Sequence, residues 1–450
     1  MRSWLVLTFL LVSPFITNAS DPLVLSCSDD CDFETPEEWS LLKWFKERES
    51  LTLKPGGSYR IRYHNENNMR RSGLTGQDDE FVLHQTRLWL DGNLTEDLAF
   101  HGEMLDAASF GETFRPRGNE VNRADLYQLD VDAKVADYGS GTLTARLGRQ
   151  EIRLGSARLL MAPIWANRRR AHDGVRMMWR DCDWDVDAFW VRPIFRDAAH
   201  FTAFDATNHF QQLYGVFGTY KGYEQSTLEL YWLAYDIERG AGAPGGRYDT
   251  FGSRRYGEAN GLLYEVEGGL QLGTNPDDSS HTAGFVTAGA GQKFEETWWE
   301  PEVWLFYDYA SGSSTTGNGF HTYVQRAHYY LGFMDLFGRR NLQDINLRIT
   351  TKPIEKLTFL VWYHYFMLAN GRDVPYNLSM NPFAGLSAGD AGSKDLGHEL
   401  DLVLTYQLNE QTQFRVGYSH FWSGAFYDKT PGVPTNVDAN FFYTHFQYQF

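Results

Sequence analysis

Large apolar and polar side chains alternate along most of the chain with a period of two, the mark of half-buried strands, and helical spacing is rare. In SYRIRYHNE, Tyr59, Ile61 and Tyr63 share one face while Arg60, Arg62, His64 and Glu66 share the other. DINLRIT opposes Ile345, Leu347 and Ile349 to Asp344, Asn346, Arg348 and Thr350, and QFRVGYS opposes Phe414, Val416 and Tyr418 to Gln413, Arg415 and Ser419. LTFLVWYHYF, residues 357–366, departs from this pattern in being apolar on both faces. Taken in order, such segments predict about eighteen strands, near 57–66, 80–91, 96–106, 124–134, 141–150, 173–180, 184–192, 211–221, 226–236, 247–256, 261–272, 281–291, 300–309, 340–351, 357–367, 396–406, 411–422 and 439–450.

The connections sharpen this. Short links such as DGNLT, RDCD, KGYEQ, TKPIE and QLNEQ alternate with long ones rich in Gly, Ser, Asn and Pro, among them 310–339 and 368–395. A soluble sandwich has no reason to put every long loop at one end. An antiparallel barrel in an outer membrane does, with short periplasmic turns and long extracellular loops. The expected fold is therefore all-β: a single transmembrane antiparallel barrel over 57–450. FFYTHFQYQF, residues 441–450, still alternates, so the last strand is expected to pair with the first and close the barrel.

Composition then changes the picture in three ways. Arg2 precedes an apolar run of about 13 residues and small residues at Thr17, Ala19 and Ser20, which predicts a secretory signal peptide over 1–20 and hence export. A lipoprotein site at Ser26-Cys27 is disfavoured, because Asp21 and Pro22 separate that cysteine from the apolar core. The stretch 21–56 is expected to be a periplasmic segment, with Trp39, Leu42 and Phe45 spaced as in a short amphipathic helix. Mean hydropathy is that of a soluble protein, but a barrel averages its lipid-facing signal away, and 16% aromatic residues suit interfacial girdles. The net charge of −17 argues against a general nucleic-acid binder.

Candidate chemistry is sparse. Cys27, Cys31 and Cys182 cannot all pair internally; the first two suit a local disulfide or free thiols better than a metal site. Asp181, Asp183, Asp185 and Asp187 alternate like a calcium loop, yet Val186 and Arg192 stand where an EF-hand needs Gly and Glu, so a polar turn is expected. GLSAG at 385–389 matches a nucleophile elbow only in letters, since it lies in a loop rather than a strand-to-helix turn. Ser419 and His420 fall on opposite strand faces. Neither a cofactor nor a metal is expected, and no enzyme activity.

More telling are arginines on the polar strand faces: Arg60, Arg62, Arg87, Arg146, Arg176, Arg254, Arg348 and Arg415. In a barrel that face lines the lumen, where guanidinium groups hold carboxylates with permanent charge. Acidic residues on the same faces, such as Glu103, Asp130, Asp132, Glu229, Glu265 and Glu267, offer each arginine a structural partner instead.

GRQEIRLGSARLL (148–160), RRRAHDGVRM (168–177), YEVEGGLQLG (264–273), PEVWLFYDYASG (301–312), YYLGFMDLFGRRN (329–341) and GYSHFWSG (417–424) resemble the alginate-export family of outer-membrane porins. The resemblance implies a monomeric eighteen-stranded barrel whose arginine-rich constriction conducts a polyuronate, with loops gating its ends. It points to Arg149 and Arg153, to Arg170 and Asp173, and to Glu267. The partners expected are outer-membrane lipids, an anionic saccharide or small organic anion, and the assembly machinery, since Phe450 resembles the terminal aromatic which that machinery recognises. A barrel lipase or protease, and a plugged structural or adhesion barrel, are the alternative readings.

Overall fold

Ladder pairing turns the alternation into a closed sheet. The computed structural model describes residues 51–69, 76–160, 162, 164–195, 204–240, 245–323, 327–435 and 438–450. The expected signal peptide, the Trp39–Phe45 helix, Cys27 and Cys31 lie outside the described residues. The barrel strands are β1 (Thr52–Met69), β2 (Gln77–Asn93), β3 (Leu98–Phe110), β4 (Asn122–Tyr138), β5 (Gly141–Gln150), β6 (His172–Arg180), β7 (Trp184–Phe195), β8 (Gln211–Tyr223) and β9 (Ser226–Ile237). They continue with β10 (Gly246–Ala259), β11 (Leu262–Thr274), β12 (Ser280–Lys293), β13 (Glu302–Ala310), β14 (Leu342–Ile354), β15 (Leu357–Leu368), β16 (Asp395–Gln407), β17 (Thr412–Ser423) and β18 (Ala439–Gln449). A two-residue strand, Ala206–Thr207, adds to β7.

Every neighbour is antiparallel, and β18 returns to β1 in the register Ser58↔Gln449 through Asn67↔Asn440. Gly57 and Phe450 close the seam by exchanging backbone hydrogen bonds of 2.8 and 2.9 Å. None of the eighteen barrel strands is left as an edge. Strand β1 begins earlier and ends later than the alternation predicts, because its ladder with β2 runs from Thr52↔Asn93 to Met69↔Gln77. Pairing continues where one face no longer meets lipid, and there the sequence has no cause to alternate.

The two faces sort as the pattern requires. Ile61, Ile345, Leu347, Phe414, Val416 and Tyr418 point outward and stay exposed, whereas Arg60, Arg62, His64, Glu66 and Asp344 are buried inside. Trp190, Tyr214 and Trp232 crowd the outer face near the extracellular rim, and Tyr448 and Phe450 stack at 5.8 Å near the periplasmic one. An unboiled sample is expected to migrate anomalously on a denaturing gel and normally after boiling, which reads the closed barrel directly.

The long extracellular loops fold inward. Leu331, Phe333, Met334, Leu336 and Phe337, which follow the one-turn helix α1 (Ala327–Tyr330), pack on the inward faces of Trp362, Phe366, Phe421, Phe441 and Tyr443. Val374, Tyr376, Phe383 and Leu386 join from the β15–β16 loop, as does Phe426 of α2 (Ala425–Lys429). This explains why β15 is apolar on both faces: one meets lipid and the other a loop core inside the lumen. A second cluster, with Ile152, Leu154 and Leu160 of the β5–β6 loop against Phe189, Phe217 and Tyr231, fills the opposite side.

Candidate functional site

Between the two loop cores a cavity of about 1180 Å³ remains. Its extracellular end is formed by Gln77 and Asp79 at the top of β2, Glu112, Arg115 and Arg117 of the β3–β4 loop, and Asn377 and Ser379 of the β15–β16 loop. Midway stand Trp165 and Arg168, Arg169 and Arg170 from the β5–β6 loop, facing Tyr323, His328 and Phe333. The periplasmic halves of the strands supply Arg60, Arg348 and Arg415 with Glu302, Thr350, Thr358, Thr405, Gln413 and Gln447. Among the described residues eight arginines thus line the cavity against four carboxylates, Asp79, Glu112, Glu302 and Asp335.

How each arginine is held decides what it can do. Arg60 donates to the carbonyls of Ile164 (2.8 Å) and Ala166 (2.9 Å) and to Asn167 Oδ1 (3.4 Å). Arg415 donates to Thr405 Oγ1 (3.2 Å) and Gln413 Oε1 (3.3 Å). Among the described residues neither has a carboxylate within 4.0 Å, so their charge is left to the cavity. Arg348 lies 3.8 Å from Glu302 and over the rings of Trp304, Phe306 and Trp362 at 5.7–5.9 Å. Arg117 is clamped by Glu66 and Glu120, Arg169 by Glu151 at 2.7 Å and Arg168 by Asp205 at 3.3 Å. At the extracellular end burial, together with the neighbouring Glu120 carboxylate, pushes the Glu112 carboxyl up to about 7.

Other arginines expected on the path are absorbed by structure. Arg87 pairs with Glu103, Arg146 with Asp132 (2.6 Å) and Asp130 (3.3 Å), Arg176 with Asp187 (2.8 Å), and Arg254 with Glu265 (2.8 Å) and Glu229 (3.2 Å). Arg149 and Asp173 sit opposite each other on β5 and β6 and pair at 3.0 Å, tying the base of the β5–β6 loop. Glu267 accepts from Arg158 Nη1 (2.7 Å), Ser156 Oγ (2.7 Å) and Tyr231 OH (3.1 Å), which ties down the middle of that loop. Arg153 is exposed on the same loop and does not line the cavity. Arg62 stacks 4.0 Å over Trp165, whose other face carries the His328 ring at 3.8 Å.

Sequence reasoning missed Arg115, Arg117, Arg168, Arg169 and Arg158. The clusters RPR and RRR were visible, but loop residues carry no face assignment. The acidic run resolves as a turn: Asp181 Oδ1 accepts the N–H groups of Asp183 (2.8 Å) and Trp184 (2.6 Å), Lys221 reaches Asp185 at 2.8 Å, and Arg176 and Arg180 hold Asp187. Cys182 is exposed and free. Ser419 points inward and His420 outward, to Asn440. Among the described residues no group of three or more His, Cys, Asp or Glu is arranged to hold a metal ion.

A closed eighteen-stranded barrel with an apolar outer belt, short periplasmic turns and a polar, loop-lined lumen is a porin of the bacterial outer membrane. Within that class, the alginate export family matches residues 52–439, and the chain belongs to it. Solved structures similar to it include Pseudomonas aeruginosa OccK11 (TM-score 0.57, 11% identity, 88% of this chain and 95% of that one). Pseudomonas aeruginosa OprD is alike (TM-score 0.57, 12% identity, 88% and 93%), as is Pseudomonas aeruginosa OpdK, solved with vanillate (TM-score 0.57, 13% identity, 88% and 98%). At these identities the likeness is one of fold. No curated protein matches the chain in sequence.

Proposed function

We propose that the protein is a single-chain passive channel for an anionic solute, an acidic saccharide of the polyuronate kind or a small organic anion, and that it catalyses no reaction. The observation that carries this reading is the state of Arg60 and Arg415: both face the cavity, and both are held by neutral acceptors alone among the described residues. A permanent charge fixed by its neighbours and left without a counter-ion attracts a mobile anion. The intervening Glu302, Asp335, Glu112 and Asp79 keep the attraction shallow enough for release, as conduction requires. Membership of the alginate export family supports a saccharide.

Reversal potentials across a planar bilayer in a salt gradient test it. The expected sign is that of anion preference, with current reduced by added oligouronate. A cation-favouring potential, unaltered by Arg60→Ala and Arg415→Ala, would overturn the proposal. Lipid or peptide turnover by the purified barrel would favour the enzyme reading, and negligible conductance the plugged one.

A further inference from the structure

We propose that the loop segment 331–340, part of the cavity wall, is a gate latched to the barrel by a buried carboxylate pair, Glu399 and Asp401, and released by alkaline pH. The inference rests on reading the cavity as a conducting path.

Glu399 and Asp401 are successive inward residues of β16, and both are fully buried. The gate segment sits directly on them. The Met334 N–H donates to Glu399 Oε1 at 2.9 Å and the Phe333 N–H to Asp401 Oδ2 at 3.3 Å. Gly332 makes the approach possible: its φ is +84°, and a Cβ there would fall 2.4 Å from Glu399 Oε1. Side chains then seal the contact, with Leu331, Met334, Leu336 and Phe337 all buried against the wall while Phe333 and Asp335 line the cavity.

The charges around the pair do not balance. From β14 comes Asp344, hydrogen-bonded to His364 of β15 at 2.9 Å; His364 Nε2 lies 3.9 Å from Asp401. Ser419 faces the pair from β17 and Tyr443 from β18, with Arg62 and Arg415 beyond the tyrosine. The gate itself brings Asp335, which meets His328 at 3.3 Å, and Arg339, which is taken by Asp308 of β13 at 2.5 Å. Three fully buried carboxyl groups therefore share one imidazole, and among the described residues no Lys or Arg reaches Glu399 or Asp401 within 4.0 Å.

Such a site holds together only while protons neutralise part of it, because a buried charge without a cation is strongly disfavoured and like charges on adjacent inward positions repel. Two backbone N–H donors and the Ser419 hydroxyl are too few to keep two ionised carboxylates out of water. As pH rises and the protons leave, the pair gains more from hydration than from the docked segment. The segment lifts, water enters and the path widens.

The test is single-channel conductance of the full-length barrel in symmetric potassium chloride, from mildly acidic to alkaline pH. The wild-type channel is expected to step to a larger conductance as pH rises. Glu399→Gln with Asp401→Asn keeps both acceptors but not the charge, and should abolish the step and hold the smaller conductance throughout. Gly332→Ala, which pushes a methyl group into Glu399, should give the larger conductance already at mildly acidic pH. Asp278→Asn, on an exposed extracellular turn outside the cavity lining, should leave the step in place. A flat wild-type profile, a step unchanged in the double variant, or a wild-type profile in Gly332→Ala would each overturn the latch. Gel migration of unboiled samples confirms a closed barrel in every variant. Conductance in a simple salt reports the gate whichever ion is preferred, so failure here and failure of anion selectivity are distinguishable.

Discussion

A channel carrying Arg60→Gln, Arg348→Gln and Arg415→Gln is expected to lose its preference for anions, with a reversal potential close to zero or of cation sign. The three residues share the periplasmic half of the cavity, and Glu302 lies 3.8 Å from Arg348. A unit charge about 4 Å from a mobile anion contributes between about 1 kcal/mol in bulk water and about 4 kcal/mol near a protein surface. Even the lower figure, summed over three sites, exceeds the ~1.4 kcal/mol that makes a tenfold difference in occupancy. Selectivity should therefore fall at least ~10-fold. Arg146→Gln with Asp132→Asn is the contrast: it removes a charge together with its counter-charge, so selectivity should barely move. Equal losses in both variants would mean that the pairing geometry does not govern which arginines act on the solute.

The largest loss of stability is expected from Arg158→Ala. Its side chain is fully buried, bonds Glu265 and Glu267 and lies 4.1 Å over the Tyr330 ring. Arg254 still compensates Glu265 at 2.8 Å, but Glu267 would keep only Ser156 and Tyr231. Breaking one partner of a buried pair costs about 3–5 kcal/mol, most of it the stranded charge. The measurable sign is a lower temperature at which the unboiled gel band converts to the boiled position. Neutralising the stranded group should recover much of the loss, so Arg158→Met with Glu267→Gln is expected to migrate more like wild type. The β5–β6 loop carries Trp165 and Arg168–Arg170 into the cavity, so the single variant should also become sensitive to protease within 151–171.

How much of this was legible depended on periodicity. Arg60, Arg348 and Arg415 were found because a strand assigns each residue to one of two faces, and the polar face of a barrel is the lumen. Arg115, Arg117, Arg168 and Arg169 were not found, because an irregular loop assigns no face. For the same reason Arg149 and Asp173 were identifiable as a conspicuous pair of motifs, whereas their direct opposition across β5 and β6 follows only from register. YYLGFMDLF carries no face assignment in its loop, and LTFLVWYHYF departs from the alternation. They become one feature when the first is seen packed against the inner face of the second.

Local chemistry along the chain was enough to set the class: alternation with apolar residues outward, turns of unequal length, and a charged inner face together admit a membrane barrel and little else. The contents of its lumen are set by contacts between residues far apart in the chain. Whether an inward arginine meets a carboxylate, as Arg254 does, or a carbonyl, as Arg60 does, depends on which loop folds against it. Strand order follows from short-range repetition, but charge compensation inside the barrel is a property of neighbours in space.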